Sequence, residues 1–190
     1  AEAYAQHTND IGVCLTTSGP GATNAITGVA AGWIDSTPMF ILSGQAKRSD
    51  LVGDTGVRQI GSQEVQIIDM IRPITKYAVQ VMEPLEIRYH MERAYYEATS
   101  GRPGPVWLSI PLDVQAAMIE PEELKDFTVV ETDKNDLSVA VEKTIALLEN
   151  AKRPVILAGN GIKLSRATED FINCWRSCPF LCLPHGRQSI

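Results

Sequence analysis

The sequence predicts an α/β fold built on a parallel sheet, because short apolar runs alternate with helix-like segments and with turns of glycine and proline. The first apolar run, Val13-Cys14-Leu15, leads into the turn Ser18-Gly19-Pro20-Gly21. A helix-like segment over residues 22–33 connects this turn to a second apolar run at residues 39–42. Strand, turn, helix and strand in this order form a parallel βαβ unit, since parallel neighbours need a helical crossover.

The same alternation continues along the chain and predicts two domains. Apolar runs indicate further strands at residues 74–82, 106–110 and 180–183, and a helix that ends at Thr99 separates the first two. An acidic, irregular stretch between the domains is typical of a linker. We therefore predict a first domain, a linker and a second α/β unit at residues 1–114, 115–136 and 137–190.

Composition indicates a chain that can bury a core and has no electrostatic reason to bind nucleic acid or a membrane. Hydrophobic residues make up 44% of the chain, charged residues 21%, and the net charge is −6. No apolar run approaches the roughly 20 residues that a membrane helix needs. Four cysteines without a dense disulfide pattern are typical of a reducing compartment, so we expect a cytoplasmic protein.

Three of the cysteines have a spacing that raises the alternative of a metal site. Cys174, Cys178 and Cys182 lie four residues apart, and His185 could be a fourth ligand. Pro179 would break any helix that aligned the three thiols, and reduced cysteines commonly pack as small hydrophobic residues. We therefore predict no metal ligands in this chain.

Two polar tips follow neighbouring strands of the predicted sheet. Residues 17–24 follow the first strand, and Ser43-Gly44-Gln45 follow the second. Because ligands of parallel sheets bind beyond the carboxyl ends of the strands, both tips should face one ligand. The glycine turn lacks the Gly-Lys-Ser/Thr of a P-loop and the third glycine of a dinucleotide site. Residues 46–61 form a long loop, and loops of this length are often functional.

The run SGPGATNAITGVAAGWIDSTPMFILSGQ, from Ser18 to Gln45, resembles the pyrimidine-binding domain of thiamine-diphosphate enzymes. It is most similar to the acetohydroxyacid synthase (acetolactate synthase large-subunit) group, over residues 1–114 and more weakly to Gly161. The resemblance implies a fragment, in which a pyrimidine-binding domain without its first strand precedes the start of a Rossmann-like central domain. It also implies decarboxylation of pyruvate and transfer of the two-carbon unit to a second 2-keto acid, in branched-chain amino acid biosynthesis.

The resemblance further assigns contacts to the cofactor thiamine diphosphate. Gln63, from the pair Gln63-Glu64, matches a catalytic position beside the reactive face, where an amide suits a keto acid or its tetrahedral adduct. In the family, Mg²⁺ and the diphosphate are held by another domain of a partner subunit, which implies a homodimer or tetramer. Besides Gln63, four residues match positions that line the aminopyrimidine ring: Pro20, Gly21, Asn24 and Gln45.

Two further family features concern a flavin and the activating carboxylate. Arg102 and the turn Gly159-Asn160-Gly161 match contacts to FAD, although asparagine replaces a glycine and an arginine in a turn is commonly solvated. The glutamate that activates the cofactor falls upstream of Ala1 in this resemblance. Glu2 lies on the wrong turn of that helix to replace it, so this chain alone should not catalyse.

Three departures from the family leave the acceptor keto acid open: Lys47 stands for a proline, Ser62 for a phenylalanine and Leu112 for a lysine. We interpret the adjacent cations Lys47 and Arg48 as a solvated pair, which is the usual state of neighbouring surface charges. Two alternatives for the function also stay open. The first is another thiamine-diphosphate decarboxylase or carboligase, and the second is a non-catalytic α/β binding domain.

Overall fold

A computed structural model describes residues 1–129 and 136–177 and the backbone of residues 181–184. The chain divides into two compact units, Ala1–Thr128 and Val129–Ile190. Among the described helices, none is long and apolar enough to cross a membrane.

The first unit is built on a four-stranded sheet with the order β1-β2-β4-β3, in which every described pair is parallel. This confirms the predicted parallel α/β fold. Because all four strands run in one direction, their carboxyl ends share one edge, which we call the carboxyl edge. The strands are β1 (Gly12–Thr16), β2 (Met39–Gln45), β3 (Tyr77–Gln80) and β4 (Pro105–Pro111).

Six α-helices accompany these strands among the described residues of the first unit. The helix predicted over residues 22–33 is two helices that meet at Ala25. Helix α4 begins at Ile67 and not at Gln63, which has a left-handed backbone with φ of 57°. The helices are α1 (Glu2–Thr8), α2 (Pro20–Asn24), α3 (Ile26–Ile34), α4 (Ile67–Ile71), α5 (Ile87–Thr99) and α6 (Leu112–Gln115).

Each face of the sheet packs on its own apolar cluster, as the alternation of side chains along a strand requires. One cluster joins Ile41 and Trp107 of the sheet to residues of α2, α3 and α4. The other joins Phe40, Val106 and Leu108 to residues of α5 and α6. The Trp107 indole donates a hydrogen bond of 2.9 Å to Ser43 Oγ, which satisfies the polar atom of this fully buried ring.

The first strand, β1, has one face that none of the described helices covers. Val13 and Leu15 are 62% and 78% exposed. They lie in register with Phe40 and Leu42, on the face that α5 covers, but α5 packs over β2, β3 and β4. Because β1 is at the edge of the sheet, its apolar pair lies beyond that helix.

The stretch after α6 packs back onto α5. Arg88 donates from Nη2 to the carbonyl of Pro121 at 2.9 Å, and the Lys125 backbone N–H donates to the carbonyl of Leu85 at 3.0 Å. The Phe127 ring lies against two tyrosine rings of α5, those of Tyr89 and Tyr96. The first compact unit therefore extends to Thr128, through most of the stretch predicted as a linker.

The second unit contains a parallel pair of strands with helices before and between them. The turn Gly159-Asn160-Gly161 follows the first of these strands directly, and Asn160 is the N-cap of the next helix. The predicted strand start at Phe180, and Cys178, Pro179 and His185, lie outside the described residues. The elements are α7 (Ser138–Asn150), β5 (Val155–Ala158), α8 (Gly161–Leu164), α9 (Thr168–Ser177) and β6 (Leu181–Pro184).

Candidate functional site

The two polar tips predicted to share a ligand lie side by side at the carboxyl edge. Thr16 at the end of β1 is in register with Ser43 of β2. A Cβ on Gly44 would lie 3.5 Å from the backbone nitrogen of Ser18, so the two polar tips approach to van der Waals distance. The parallel order of β1 and β2 is sufficient to produce this juxtaposition.

The turn after β1 requires glycine at position 19 and contacts Gln63 there. Gly19 has φ of 60° and ψ of −126°, a region that residues with a Cβ essentially avoid. A Cβ on Gly19 would overlap the carbonyl oxygen of Gln63. The absence of a side chain therefore lets the backbone around Gln63 rest directly on the glycine turn.

Gln63 has a strained backbone and an open side chain. Its φ of 57° is unusual for a residue with a long side chain and costs on the order of 1–3 kcal/mol. Its side chain is exposed, and its amide makes no hydrogen bond within the part of the chain that is described. The site thus presents one free amide, with donors and an acceptor, beside the glycine turn.

Pro20, Gly21 and Asn24 all belong to α2, the single-turn helix that starts at the carboxyl edge. Pro20 is the first residue of α2, where its fixed φ suits a helix start and its missing N–H removes no bond. Pro20 and Asn24 are exposed, and Gly21 is partly buried. Pro20 and Asn24 are four positions apart on α2, and Gln63 contacts the glycine that precedes this helix.

Gln45, in contrast, is buried, and both ends of its amide hydrogen-bond the chain. Its Nε2 donates to the carbonyl of Val65 at 3.0 Å, and its Oε1 accepts from the backbone N–H of Ala46 at 2.9 Å. The amide thereby connects the end of β2 to the segment that follows Gln63. Gln45 braces the site in this structure, and it leaves one N–H for a ligand.

Glu64 organises the long loop, a role that sequence reasoning did not assign. Its buried carboxylate accepts backbone hydrogen bonds from Val52 at 2.6 Å, Ile60 at 3.2 Å and Gly61 at 3.1 Å. One side chain therefore closes residues 52–61 into an ordered turn and satisfies three N–H groups. The sequence signal for this role was an isolated acid directly after a glycine-spaced loop.

Arg48 is bound to Asp113, so the prediction of a solvated Lys47–Arg48 pair is wrong for Arg48. Asp113 accepts at 2.9 Å from the Arg48 backbone N–H and at 2.6 Å from Nε. The side-chain hydrogen bond is the main cause that lowers the pKa of Asp113, and the same bond raises the pKa of Arg48. Lys47 is exposed, as predicted.

The residues matched to flavin contacts belong to two different units of the chain. Arg102 is exposed, donates from Nε to Ser36 Oγ at 2.6 Å, and precedes the amino end of β4, opposite the carboxyl edge. Gly159 and Gly161 belong to the second unit, where they line an open pocket of about 660 Å³. The pocket wall is mainly apolar and includes Phe171.

The described residues carry no cluster of three or more His, Cys, Asp or Glu side chains placed to hold a metal ion. Cys14 and Cys174 have free thiols. The carboxyl edge also carries amides and hydroxyls. Thr16 Oγ1 and Ser109 Oγ, in strands on either side of Ser43, are buried without a hydrogen-bond partner in the described part.

This edge fits a flat ring that needs hydrogen bonds at its rim. The glycine turn permits close approach to the backbone, and the proline offers a rigid apolar surface. The free amide of Gln63 offers hydrogen bonds, and the aspartate and arginine nearby already neutralise each other. The arrangement suits a heteroaromatic group, because amide hydrogen bonds at the rim and close approach of the backbone to the face are what such a ring needs.

Comparison with known families identifies the class of protein that has this edge. Residues 1–70 match the family described as "Thiamine pyrophosphate enzyme, N-terminal TPP binding domain". The match includes β1, α2, β2, the long loop and Gln63. Residues 1–70 therefore match the N-terminal domain of the thiamine pyrophosphate enzymes, which confirms the resemblance stated from the sequence.

Similar curated proteins carry the name acetolactate synthase. The probable large subunit of Methanocaldococcus jannaschii is 35% identical over 97% of this chain and 30% of its own length. The large subunit of Lactococcus lactis is 36% identical over 90% of this chain and 29% of its own length. The large subunit of Buchnera aphidicola is 37% identical over 92% of this chain and 31% of its own length. The chain thus spans about 30% of the length of these relatives and is similar to their acetolactate synthase large subunits.

Proposed function

We propose that this chain is part of an acetolactate synthase, which decarboxylates pyruvate and joins the two-carbon unit to a second 2-keto acid. The identities of 35% to 37% to large subunits of that name support this reaction. The observation that carries the proposal is the contact between Gln63 and the Gly19 turn. That contact brings a free amide to the edge where a ligand of a parallel sheet binds.

In this proposal, the residues of the carboxyl edge hold the aminopyrimidine ring of thiamine pyrophosphate. Pro20, Gly21 and Asn24 line the ring, Gln45 braces its surroundings, and the Gln63 amide hydrogen-bonds a keto-acid oxygen. When bound, thiamine pyrophosphate supplies a carbon nucleophile and an electron sink for decarboxylation. The protein residues contribute orientation and hydrogen bonds.

We further propose the remaining assignments that the family suggests. Mg²⁺ would bind with the diphosphate in another domain, and FAD would contact Arg102 and the turn Gly159-Asn160-Gly161. A homodimer or tetramer and a place in branched-chain amino acid biosynthesis follow from the same likeness. The free thiols of Cys14 and Cys174 agree with a cytoplasmic location. The division at residues 1–114, 115–136 and 137–190 is the proposed domain structure.

The experiment uses the full-length protein with thiamine pyrophosphate, Mg²⁺ and pyruvate. We expect acetolactate as the product, whereas acetaldehyde would identify a decarboxylase and another ligated product a different carboligase. Failure of the wild-type protein to bind thiamine pyrophosphate would favour the non-catalytic binding domain.

A variant of Gln63 tests the assigned role of its amide. We expect Gln63→Ala to lower kcat/KM for pyruvate by about 10²-fold, as the loss of a hydrogen bond to developing charge does. Gln66→Ala is the matched control, because Gln66 is an exposed glutamine three residues away, and we expect wild-type kinetics. Equal kinetics of the two variants would remove Gln63 from the site.

A further inference from the structure

Arg48 connects three of the four strand ends of the carboxyl edge. It follows β2, and it donates to Asp113, which follows β4 in α6. Its Nη1 also donates at 2.8 Å to the carbonyl of Met82, which follows β3, and lies 4.0 Å from Glu83 Oε1. We call Arg48, Asp113 and the Met82 carbonyl the Arg48 clamp.

The clamp fixes the segment over residues 45–50 from one side, and Gln45 fixes its start. Within the segment, the Asp50 N–H donates to the carbonyl of Lys47 at 2.8 Å and forms a 3₁₀ turn. The returning end of the long loop packs on this turn at Gly61. A Cβ there would lie 2.5 Å from Ala46 Cβ and 2.9 Å from the Asp50 carbonyl oxygen.

The contacts continue from Gly61 to the candidate site. The Gly61 N–H donates to Glu64 Oε2, and two residues further along the chain the backbone of Gln63 rests on Gly19. A continuous series of contacts therefore leads from the clamp, through residues 46–50 and Gly61, to the amide beside the turn. A displacement of residues 46–50 would be transmitted to Gln63, because the contacts at Gly61 and Gly19 are close-packed.

We propose that Arg48 is a positioning residue, which acts through this series of contacts to set where the Gln63 amide lies relative to the Gly19 turn. The inference rests on the proposed function, since the amide matters only where a ligand occupies the turn. Arginine suits the role because its planar fork holds a carboxylate and a carbonyl in fixed directions, whereas a lysine ammonium is a point charge without that planar geometry. The hydrogen bonds from Arg48 lower the pKa of Asp113, which favours the ionised carboxylate that the clamp needs.

The test compares Arg48→Ala, Arg48→Lys and Asp113→Asn with the control Arg72→Ala in the full-length enzyme. Arg72 is an exposed arginine whose nearest carboxylate, Asp69, lies 3.8 Å away, so its removal leaves the clamp intact. We expect Arg48→Ala to weaken binding of thiamine pyrophosphate with Mg²⁺, or to lower kcat for pyruvate, by about 10-fold. We expect intermediate values for Arg48→Lys and Asp113→Asn and wild-type values for Arg72→Ala.

A double variant separates positioning from a general structural role. If Arg48 acts through Gln63, Arg48→Ala should lower kcat less than 2-fold in a Gln63→Ala background, although it lowers kcat about 10-fold alone. Full additivity of the two changes would overturn the inference. So would wild-type binding and turnover in Arg48→Ala, or a fall in thermal stability without any change in kcat or affinity.

Hydrogen exchange of the apo protein provides a readout that does not depend on activity. We expect Arg48→Ala to accelerate exchange of the Val52 and Gly61 amides, which donate to Glu64, by about 10-fold, and Arg72→Ala to leave it unchanged. Unchanged exchange would overturn the inference. Failure of the wild-type protein to bind thiamine pyrophosphate would instead refute the proposed function, so the two failures are distinguishable.

Discussion

Gly19 and Gln63 show how a site can depend on two backbone conformations that ordinary residues avoid. Each has a positive φ, and each is held by the other, since the carbonyl of Gln63 occupies the space that a Cβ on Gly19 would fill. Strain of this kind persists only where surrounding contacts determine the geometry, and it is common at functional sites. Glu64 supplies those contacts immediately beside Gln63.

We expect Gly19→Ala to lower the free energy of unfolding by at least about 1–3 kcal/mol, because alanine would be strained at this φ and ψ and would overlap Gln63. Urea denaturation of the 190-residue chain measures the change. Gly28→Ala is the matched control, since open space surrounds a Cβ there and α3 should gain about 0.5–1 kcal/mol. Equal effects of the two substitutions would contradict the geometry of the turn.

At the scale of elements, helix α5 carries a buried histidine between charged groups. His90 Nδ1 lies 2.7 Å from Tyr77 Oη of β3, and Nε2 lies 3.6 Å from Glu86 Oε2. Burial is the largest cause that lowers the pKa of His90, and Arg93 and Lys125 add to it, whereas Glu86 opposes it. The imidazole is therefore neutral in the folded chain at neutral pH.

This environment predicts a loss of stability in acid. Because the folded pKa is below the unfolded value of about 6.5, the unfolded chain binds more protons in that window, and the contribution is lost as pH falls from about 6.5 through the folded pKa. One proton limits the slope to about 1.4 kcal/mol per pH unit. Urea denaturation at pH 7, 6 and 5 measures the free energy of unfolding. The slope of that free energy against pH should be shallower for His90→Gln than for the wild type. His7→Gln is the control, because His7 is exposed, and its slope should equal that of the wild type. Parallel slopes would show that His90 does not titrate differently on folding.

The sequence predicted the elements that depend on local pattern and missed those that depend on distant partners. Alternating apolar runs were sufficient for the parallel sheet and for the neighbouring tips of β1 and β2. The Arg48–Asp113 pair joins residues 65 positions apart, and no local pattern marks it. No local pattern marks the left-handed backbone of Gln63 either, which depends on its contact with Gly19.

At the scale of the whole molecule, the uncovered face of β1 is an association hazard for the 190-residue chain. Val13 and Leu15 extend an apolar surface at an open strand edge, where other strands can pair. We expect Leu15→Lys to reduce concentration-dependent aggregation in light scattering and to change the free energy of unfolding by less than about 0.5 kcal/mol. Leu42→Lys, on the same face but partly buried, should destabilise the chain clearly. Unchanged scattering of Leu15→Lys would exclude this edge as the contact.

The packing of residues 121–127 on α5 sets a lower limit on any shortened version of the first unit. A version that stopped at residue 114 would bare the rings of Tyr89 and Tyr96 and would remove Asp126, the partner of Arg88 at 3.1 Å. Expression of the first unit alone should therefore retain the sequence through Thr128, where the compact unit ends.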